Sequence, residues 1–436
     1  MHFSFSSLGY KDLGLNNALL RLLDNAAEEH GVSLKEEGLA WRFQELIRKL
    51  ARTGQKVVLL IDEYDKPLVD YIDDPDQAEQ NRDVLKNFFS IIKDADPYLH
   101  FFIITGVSKF SKVSLFSDLN NLHDITLAPL AQSLTGYTQE ELEENFASGL
   151  QQLIEAEGVE LPKVLEKVRK WYNGYLWAGE TRLYNPFSIL LLMQQQRFKN
   201  FWWESGTPTF LIKLLRRDFK FDLGEIEAGE ILFESLTFDN ISWISILFQT
   251  GYVTIKDYDR ETMLYTLGYP NQEVRDTMHQ HLLGAFREAH PIETLPILVK
   301  IKKALEAGDI EAGMEQINSL FASLPYQLFQ SRSEGFFHAI LHLAFVGIGM
   351  YVESEVSTAK GRVDCVVRTK NQIYVMEFKL DAPPEQALAQ IRDKRYGSRF
   401  LSEEKNVIAV GVQFSSADKA VTDWKEIPYT TLLAEG

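Results

Sequence analysis

A single cysteine, Cys365, stands among 436 residues. One thiol cannot build an intramolecular disulfide framework, and such sparing use fits a reducing compartment. Cys365 sits in an apolar run and reads as packing rather than chemistry. Also absent is any uninterrupted apolar stretch near the ~20 residues of a membrane-spanning helix, so no membrane partner is expected. The first residues, Met-His-Phe-Ser-Phe-Ser, lack the basic flank and apolar core of a signal peptide, and a cytoplasmic protein is the expectation. Positive charge is scarce: 45 Lys and Arg against 62 Asp and Glu give a formal charge of −17. That balance excludes a surface that coats nucleic acid generally. The deficit is uneven. Residues 351–436 carry 12 Lys and Arg and 13 Asp and Glu, while the first 350 residues carry 33 and 49. The C-terminal segment can therefore approach a polyanion. Finally, there is no G-x-x-x-x-G-K-[ST] loop and no Gly-Lys dipeptide; Gly54-Gln55-Lys56 precedes a strand instead of following one. Without that loop the chain cannot cradle a triphosphate in the usual way.

What is present is an ordinary globular composition, 45% hydrophobic and 25% charged. At roughly 150 residues per domain the length predicts two to four domains. Residues 2–6 alternate as a short strand does, and 13–29 and 39–51 have helical periodicity. Val57 to Ile61 are five consecutive apolar residues, the pattern of a strand buried on both faces in a parallel sheet. Asp62 and Glu63 follow at its C-terminal edge, where open α/β sheets bind ligands. Two acids there can hold Mg²⁺ and polarise a water; they read equally well as caps of the following helix. After a helix over 79–94, Leu99 to Thr105 form another buried strand, so the N-terminal region is α/β. Thr105 and Ser108 at its end are positioned to sense a phosphate or to close a turn.

Residues 134–158 read as helical, and a helix runs through Ile189 to Met193. Trp202 and Trp203 read as core anchors, since nothing basic immediately follows them. Residues 242–250, 251–267 and 271–286 outline helix, hairpin and helix, a weak winged-helix-like pattern without a basic recognition helix. Residues 296–323 form a helix or helix pair with Gly308 and Gly313 as breaks. On the helix over 333–350, His338 and His342 have chelating i, i+4 spacing; no third ligand is obvious, and packing is the simpler use.

The densest chemistry lies near the C-terminus. Gly361 to Val367 and Ile373 to Lys379 read as strands, joined by the turn-like Thr369-Lys370-Asn371-Gln372. A two-residue loop at Lys370-Asn371 sets Asp364 opposite Glu377, with Cβ atoms roughly 4.5–5.5 Å apart. Lys379 shares their face, two residues along. Paired carboxylates repel unless a cation sits between them, and oxygen ligands suit Mg²⁺. An edge strand over 351–356 carries Glu353 and Glu355. A helix over 385–396 carries Gln390, Lys394, Arg395 and Tyr396. A final apolar strand covers 406–412.

The order strand with an acid, Gly-Arg-Val-Asp364, Glu377-Phe-Lys379, then Gln390 to Tyr396 resembles the PD-(D/E)XK nuclease superfamily, with Val363 where the pattern has Pro. Together with Val58 to Asp65, Ile104 to Ser111, Tyr172-Asn173-Gly174-Tyr175 and Tyr184-Asn185-Pro186-Phe187-Ser188, the whole chain is similar to a prokaryotic family that fuses an AAA-ATPase-like domain to such a nuclease domain. The resemblance implies an α/β protein of three parts. These are an incomplete P-loop, AAA-like parallel-sheet domain (1–135), a helical, winged-helix-like middle (136–290) and a PD-(D/E)XK-like α/β domain (291–436). It implies Asp364, Glu377 and Lys379 as catalytic residues; Asp364, Glu377 and Glu355 as ligands of Mg²⁺ or Mn²⁺; and Gln390, Lys394, Arg395 and Tyr396 as contacts to nucleic acid, DNA first, with Arg399 nearby. Asp62, Glu63 and Ser108 are the implied nucleotide-site residues. Members carry a Gly-Lys-Ser loop ahead of the first strand, so the chain resembles a member without its first segment, and ATP is expected only where that loop is supplied. The expected function is metal-dependent phosphodiester hydrolysis; a nucleotide-regulated switch, or an interaction protein with an inactive nuclease fold, are the alternatives. Oligomerisation is left open.

Overall fold

The computed structural model describes residues 1–52, 54–72, 74–107, 122–202, 211–212, 215, 226–233, 242–288, 291–325, 329, 334–347, 351–358 and 361–434. The chain forms two compact units, one of residues 1–135, 175–182 and 226–268, the other of 136–174, 183–225 and 269–436.

In the first unit, β1 (His2–Ser4), α1 (Leu15–Glu29), α2 (Leu39–Ala51), β2 (Val57–Asp62), α3 (Pro75–Phe89) and β3 (Leu99–Ile104) make a parallel sheet ordered β1-β2-β3 with its helices. Asp74 caps α3 by accepting from Gln77 N–H, and Pro75 fills the first helical position, where no N–H is needed. Phe3 of β1 meets Phe43 of α2, which stacks on Phe88 of α3 with centroids 4.4 Å apart. The expectation of a β2 buried on both faces is corrected. Val57, Leu59 and Ile61 are buried, but Val58 is 39% exposed and its partner Phe101 is 52% exposed. A continuous apolar run reports residue type, not which face is covered.

The second unit begins with α4 (Gln139–Asn145), α5 (Ala147–Glu157), α6 (Leu161–Tyr172) and α7 (Pro186–Gln195), packed around Leu153, Val168, Tyr172 and Ile189. The helix expected from 134 starts at 139, because Tyr137 pairs instead with Tyr184 and Thr138 opens α4 with a capping box to Glu141. The winged-helix-like outline falls in two places. β4 (Ile226–Ala228), α8 (Trp243–Gln249), β5 (Thr254–Asp259) and β6 (Leu264–Gly268) belong to the first unit, with sheet order β4-β6-β5. α9 (Gln272–Arg287) belongs to the second. Its Glu273 is buried and accepts from Trp202 N–H (2.7 Å) and Ser188 Oγ (2.8 Å); Trp203 lies outside the described residues. α10 (Pro291–Ala307) and α11 (Ile310–Ala322) part at Gly308, whose φ of +79° suits a break. Gly313 is not a break: it lies inside α11, buried.

α12 (Glu334–Gly347) precedes a sheet of β7 (Tyr351–Thr358), β8 (Gly361–Arg368), β9 (Gln372–Leu380), β10 (Asn406–Ser415) and β11 (Ala420–Pro428), neighbours in space as in sequence. All pairs are antiparallel except β9 with β10, which α13 (Pro384–Asp393) connects as a crossover. Alternation splits β9 between two layers. Phe378 joins Phe321 of α11, Phe337 of α12 and Phe414 of β10. Ile373 and Val375 face Leu388 and Ile391 of α13. Each such side chain contributes about 1.5–3 kcal/mol on burial, so both faces hold β9, and Glu377 with it, in place.

The helix expected to reach Tyr396 ends at Asp393. Tyr396 N–H bonds Ile391 carbonyl and Arg395 N–H bonds Arg392 carbonyl, with Arg395 at φ +54°. This is a Schellman turn, closed by contact between buried Tyr396 and Ile391. The expected stop signal was hidden because Arg, not Gly, occupies the left-handed position.

Candidate active site

The β8–β9 register is Cys365↔Met376, Val366↔Val375, Val367↔Tyr374 and Arg368↔Ile373. Thr369 N–H closes on Gln372 carbonyl at 2.9 Å, so Lys370-Asn371 is the two-residue loop the sequence predicts. Asp364 and Glu377 occupy the next rung, where the paired ladder opens. There Asp364 N–H donates to Glu377 Oε2 (3.4 Å), and Phe378 N–H donates to Asp364 Oδ2 (2.8 Å). The hairpin's own amides thus hold both carboxylates side by side.

Glu377 is 1% exposed. Its Oε1 accepts from Lys379 Nζ (3.1 Å) and from Gln390 Nε2. A carboxylate only accepts, so the Gln390 amide must turn its NH₂ toward it. The same Nε2 donates to Tyr396 Oη at 3.3 Å. Burial first, and the adjacent Asp364 charge second, push the Glu377 carboxyl up to about 7, against the opposing pull of Lys379. Tyr396 is 2% exposed; its ring offers no face for a base, and its hydroxyl steadies Gln390. Lys394 and Arg395 lie exposed just beyond α13.

Pairs Val363↔Val356 and Cys365↔Ser354 put Glu355 at the register position opposite Asp364, and Glu377 pairs with Gly411 on β10. One row across the sheet therefore runs Glu355, Asp364, Glu377, Gly411. The Glu355 side chain lies outside the described residues. Sequence reasoning passed over Gly411. A Cβ there would overlap the Pro384 carbonyl oxygen and sit 3.1 Å from Leu388 Cγ, so its bareness admits α13 and lets Gln390 reach Glu377. An isolated glycine in the apolar run Val410-Gly411-Val412 was the available signal.

A divalent cation fits the donor set that is visible. Two carboxylates lie together, Glu377 buried and Asp364 half-buried, the repulsion between them raises Glu377, and Glu377 Oε2 accepts a long hydrogen bond from Asp364 N–H. Among the described residues no cluster of three or more His, Cys, Asp or Glu is present. His342 rests beside His279 with ring centroids 5.3 Å apart, while the His338 side chain lies outside the described residues.

In the first unit, Asp62 Oδ1 accepts from Thr105 Oγ1, and Glu63 N–H donates to the same hydroxyl at 3.4 Å. Asp65 Oδ1 accepts from Val107 N–H (3.1 Å). Gly106 is required beside it, because a Cβ would come within 2.7 Å of Asp65 Oδ1 and Tyr64 Cε1. Asp62, Glu63 and Thr105 are thus brought together at the strand ends; Ser108 lies outside the described residues.

Two family models match the chain, a predicted AAA-ATPase over residues 1–116 and the PD-(D/E)XK nuclease superfamily over residues 332–424. An "uncharacterized protein in vnfD 5′ region" of Azotobacter chroococcum mcd 1 is 36% identical over 419 residues, covering 93% of this chain and 79% of that protein. No solved structure matches.

Proposed function

Because the chain belongs to the family that joins a predicted AAA-ATPase-like domain to a PD-(D/E)XK nuclease superfamily domain, we propose that its C-terminal domain hydrolyses phosphodiester bonds of nucleic acid, DNA first, with Mg²⁺ or Mn²⁺. The observation that carries this reading is the pairing of half-buried Asp364 with buried Glu377, with Lys379 and Gln390 bonded to the latter. Asp364, Glu377 and, by register, Glu355 would hold the ion, which supplies charge neutralisation at the phosphate and activation of water. Lys379 holds the attacking water and offsets the negative charge that builds on the phosphate oxygens. Gln390 keeps the Glu377 carboxylate aimed, and Tyr396 keeps Gln390 aimed. Lys394 and Arg395 meet backbone phosphates. Purified Lys379→Ala is expected to keep its circular dichroism spectrum and lose cleavage; cleavage at the wild-type rate rejects the assignment.

The first unit is read as the regulatory partner. Asp62 and Glu63 around Thr105 support a nucleotide–Mg²⁺ role for that strand end. Calorimetric titration with ATP and Mg²⁺ tests it: heat of binding that Asp62→Ala removes supports the reading, and binding that is unchanged in Asp62→Ala rejects it.

A further inference from the structure

His338 and His342 have chelating spacing on α12, and nothing near them in sequence supplies a third ligand. The fold brings one. His279 of α9 lies against His342, with ring centroids 5.3 Å apart and planes tilted by 54°. Zn–N bonds of ~2.0–2.1 Å at a tetrahedral angle set two imidazole centroids roughly 5 Å apart, so this pair needs little movement to share an ion. His279 is 1% exposed. Its Nδ1 lies 2.7 Å from the Arg275 carbonyl; a carbonyl only accepts, so Nδ1 carries the proton. Burial first, and His342 second, push the imidazole well below its ordinary value, which keeps it neutral and leaves the lone pair on Nε2. An N–H held by a backbone carbonyl is how proteins fix the tautomer and direction of a metal-binding imidazole. Among the described residues the buried Nε2 has no hydrogen-bond partner, a cost that packing alone leaves standing. The Tyr269 ring, 5.2 Å from His279, walls the place further. The Arg275 guanidinium pairs with Asp276 at 3.1 Å, which offsets its charge. His338 sits one helical turn before His342, at a position on the same face of α12.

We propose that the contact between α9 and α12 is a site for a first-row divalent ion that favours imidazole, Zn²⁺ foremost, with His279 and His342 as ligands from the two helices and His338 as the third by its spacing. Three imidazoles with a fourth place left for water is a set that zinc takes. Mg²⁺ prefers oxygen, so this site is separate from the carboxylate pair on β8 and β9 and does not depend on the hydrolytic reading. The ion clamps α9 to α12, the helix whose Phe337 stacks on Phe414 of β10.

The test strips the full chain with chelator, removes the chelator and titrates Co²⁺ at neutral pH, reading the visible absorption that four-coordinate Co²⁺ gives. Zn²⁺ is then added to displace it. Wild type is compared with His279→Gln, His342→Gln, His338→Leu and Asp364→Asn, the last to remove a carboxylate from the hairpin. Urea unfolding midpoints are taken with and without Zn²⁺, and circular dichroism checks that each variant is folded. Wild type and Asp364→Asn are expected to bind one equivalent of Co²⁺ with the visible band, to release it to Zn²⁺ and to unfold at higher urea when Zn²⁺ is present. Each folded histidine variant is expected to lose the band, weaken Zn²⁺ binding by more than ~100-fold and lose the Zn²⁺-dependent rise in midpoint. Wild type without the band overturns the proposal whatever the variants do. So does a band that survives any of the histidine changes, or one that Asp364→Asn removes.

Discussion

Glu377→Gln should stabilise the metal-free protein at alkaline pH while abolishing its chemistry. The carboxyl is buried beside Asp364, which moves it from 4.5 up to about 7. A raised acid is one whose folded state holds its proton longer than the unfolded state. Stability is therefore full below about pH 4.5 and falls as pH rises, until the folded carboxyl has also ionised near pH 7. Over that interval, at about 1.4 kcal/mol per pH unit, the loss comes to about 3 kcal/mol. The amide of Gln approximates the protonated form, so the variant should escape most of that loss. The gap between variant and wild type should be near zero at pH 4, open through pH 5 to 7, and level off above. The assay is urea unfolding across pH in chelator, followed by far-ultraviolet circular dichroism. Adding Mg²⁺ at pH 8 should narrow the gap, because a cation favours the ionised pair in wild type alone. A Gln variant no more stable than wild type at pH 8 would refute the reasoning, as would equal Mg²⁺ stabilisation of both proteins.

Gly411→Ala should lower the unfolding free energy by about 1–3 kcal/mol, because α13 must move off the sheet; cleavage should also fall, as Gln390 withdraws from Glu377. Gly106→Ala should loosen the strand ends around Asp65 and Tyr64 by a similar amount, seen as faster amide exchange at Thr105 and Val107. Glu273→Ala leaves Trp202 N–H and Ser188 Oγ without their acceptor and should cost about 2–4 kcal/mol. Glu273→Gln keeps an acceptor and should cost less, by the same urea measurement.

The hairpin was legible because its determinants are local. Alternating side chains and a two-residue polar loop fix the rung of Asp364 and Glu377, and Lys379 follows from strand period alone. Glu355 could be placed on a preceding strand but not on its rung, since register between β7 and β8 is set by the fold around them. The end of α13 was not legible. Periodicity continues through Lys394, and the turn is made by burial of Tyr396 against Ile391, a tertiary event. The close approach of α13 to Gly411 is likewise a contact between segments separated in sequence. In the first unit the strands were clear, but the run Val57 to Ile61 could not reveal that Val58 is exposed.

The most direct measurement is incubation of the purified chain with end-labelled single- and double-stranded DNA and RNA, in Mg²⁺, Mn²⁺ or chelator, beside Asp364→Asn and Lys379→Ala. Fragments of at least one nucleic acid should form with either metal, vanish with chelator and be missing with both variants. Intact substrates throughout, or cleavage that persists in Asp364→Asn, would contradict the assignment of hydrolysis to this hairpin.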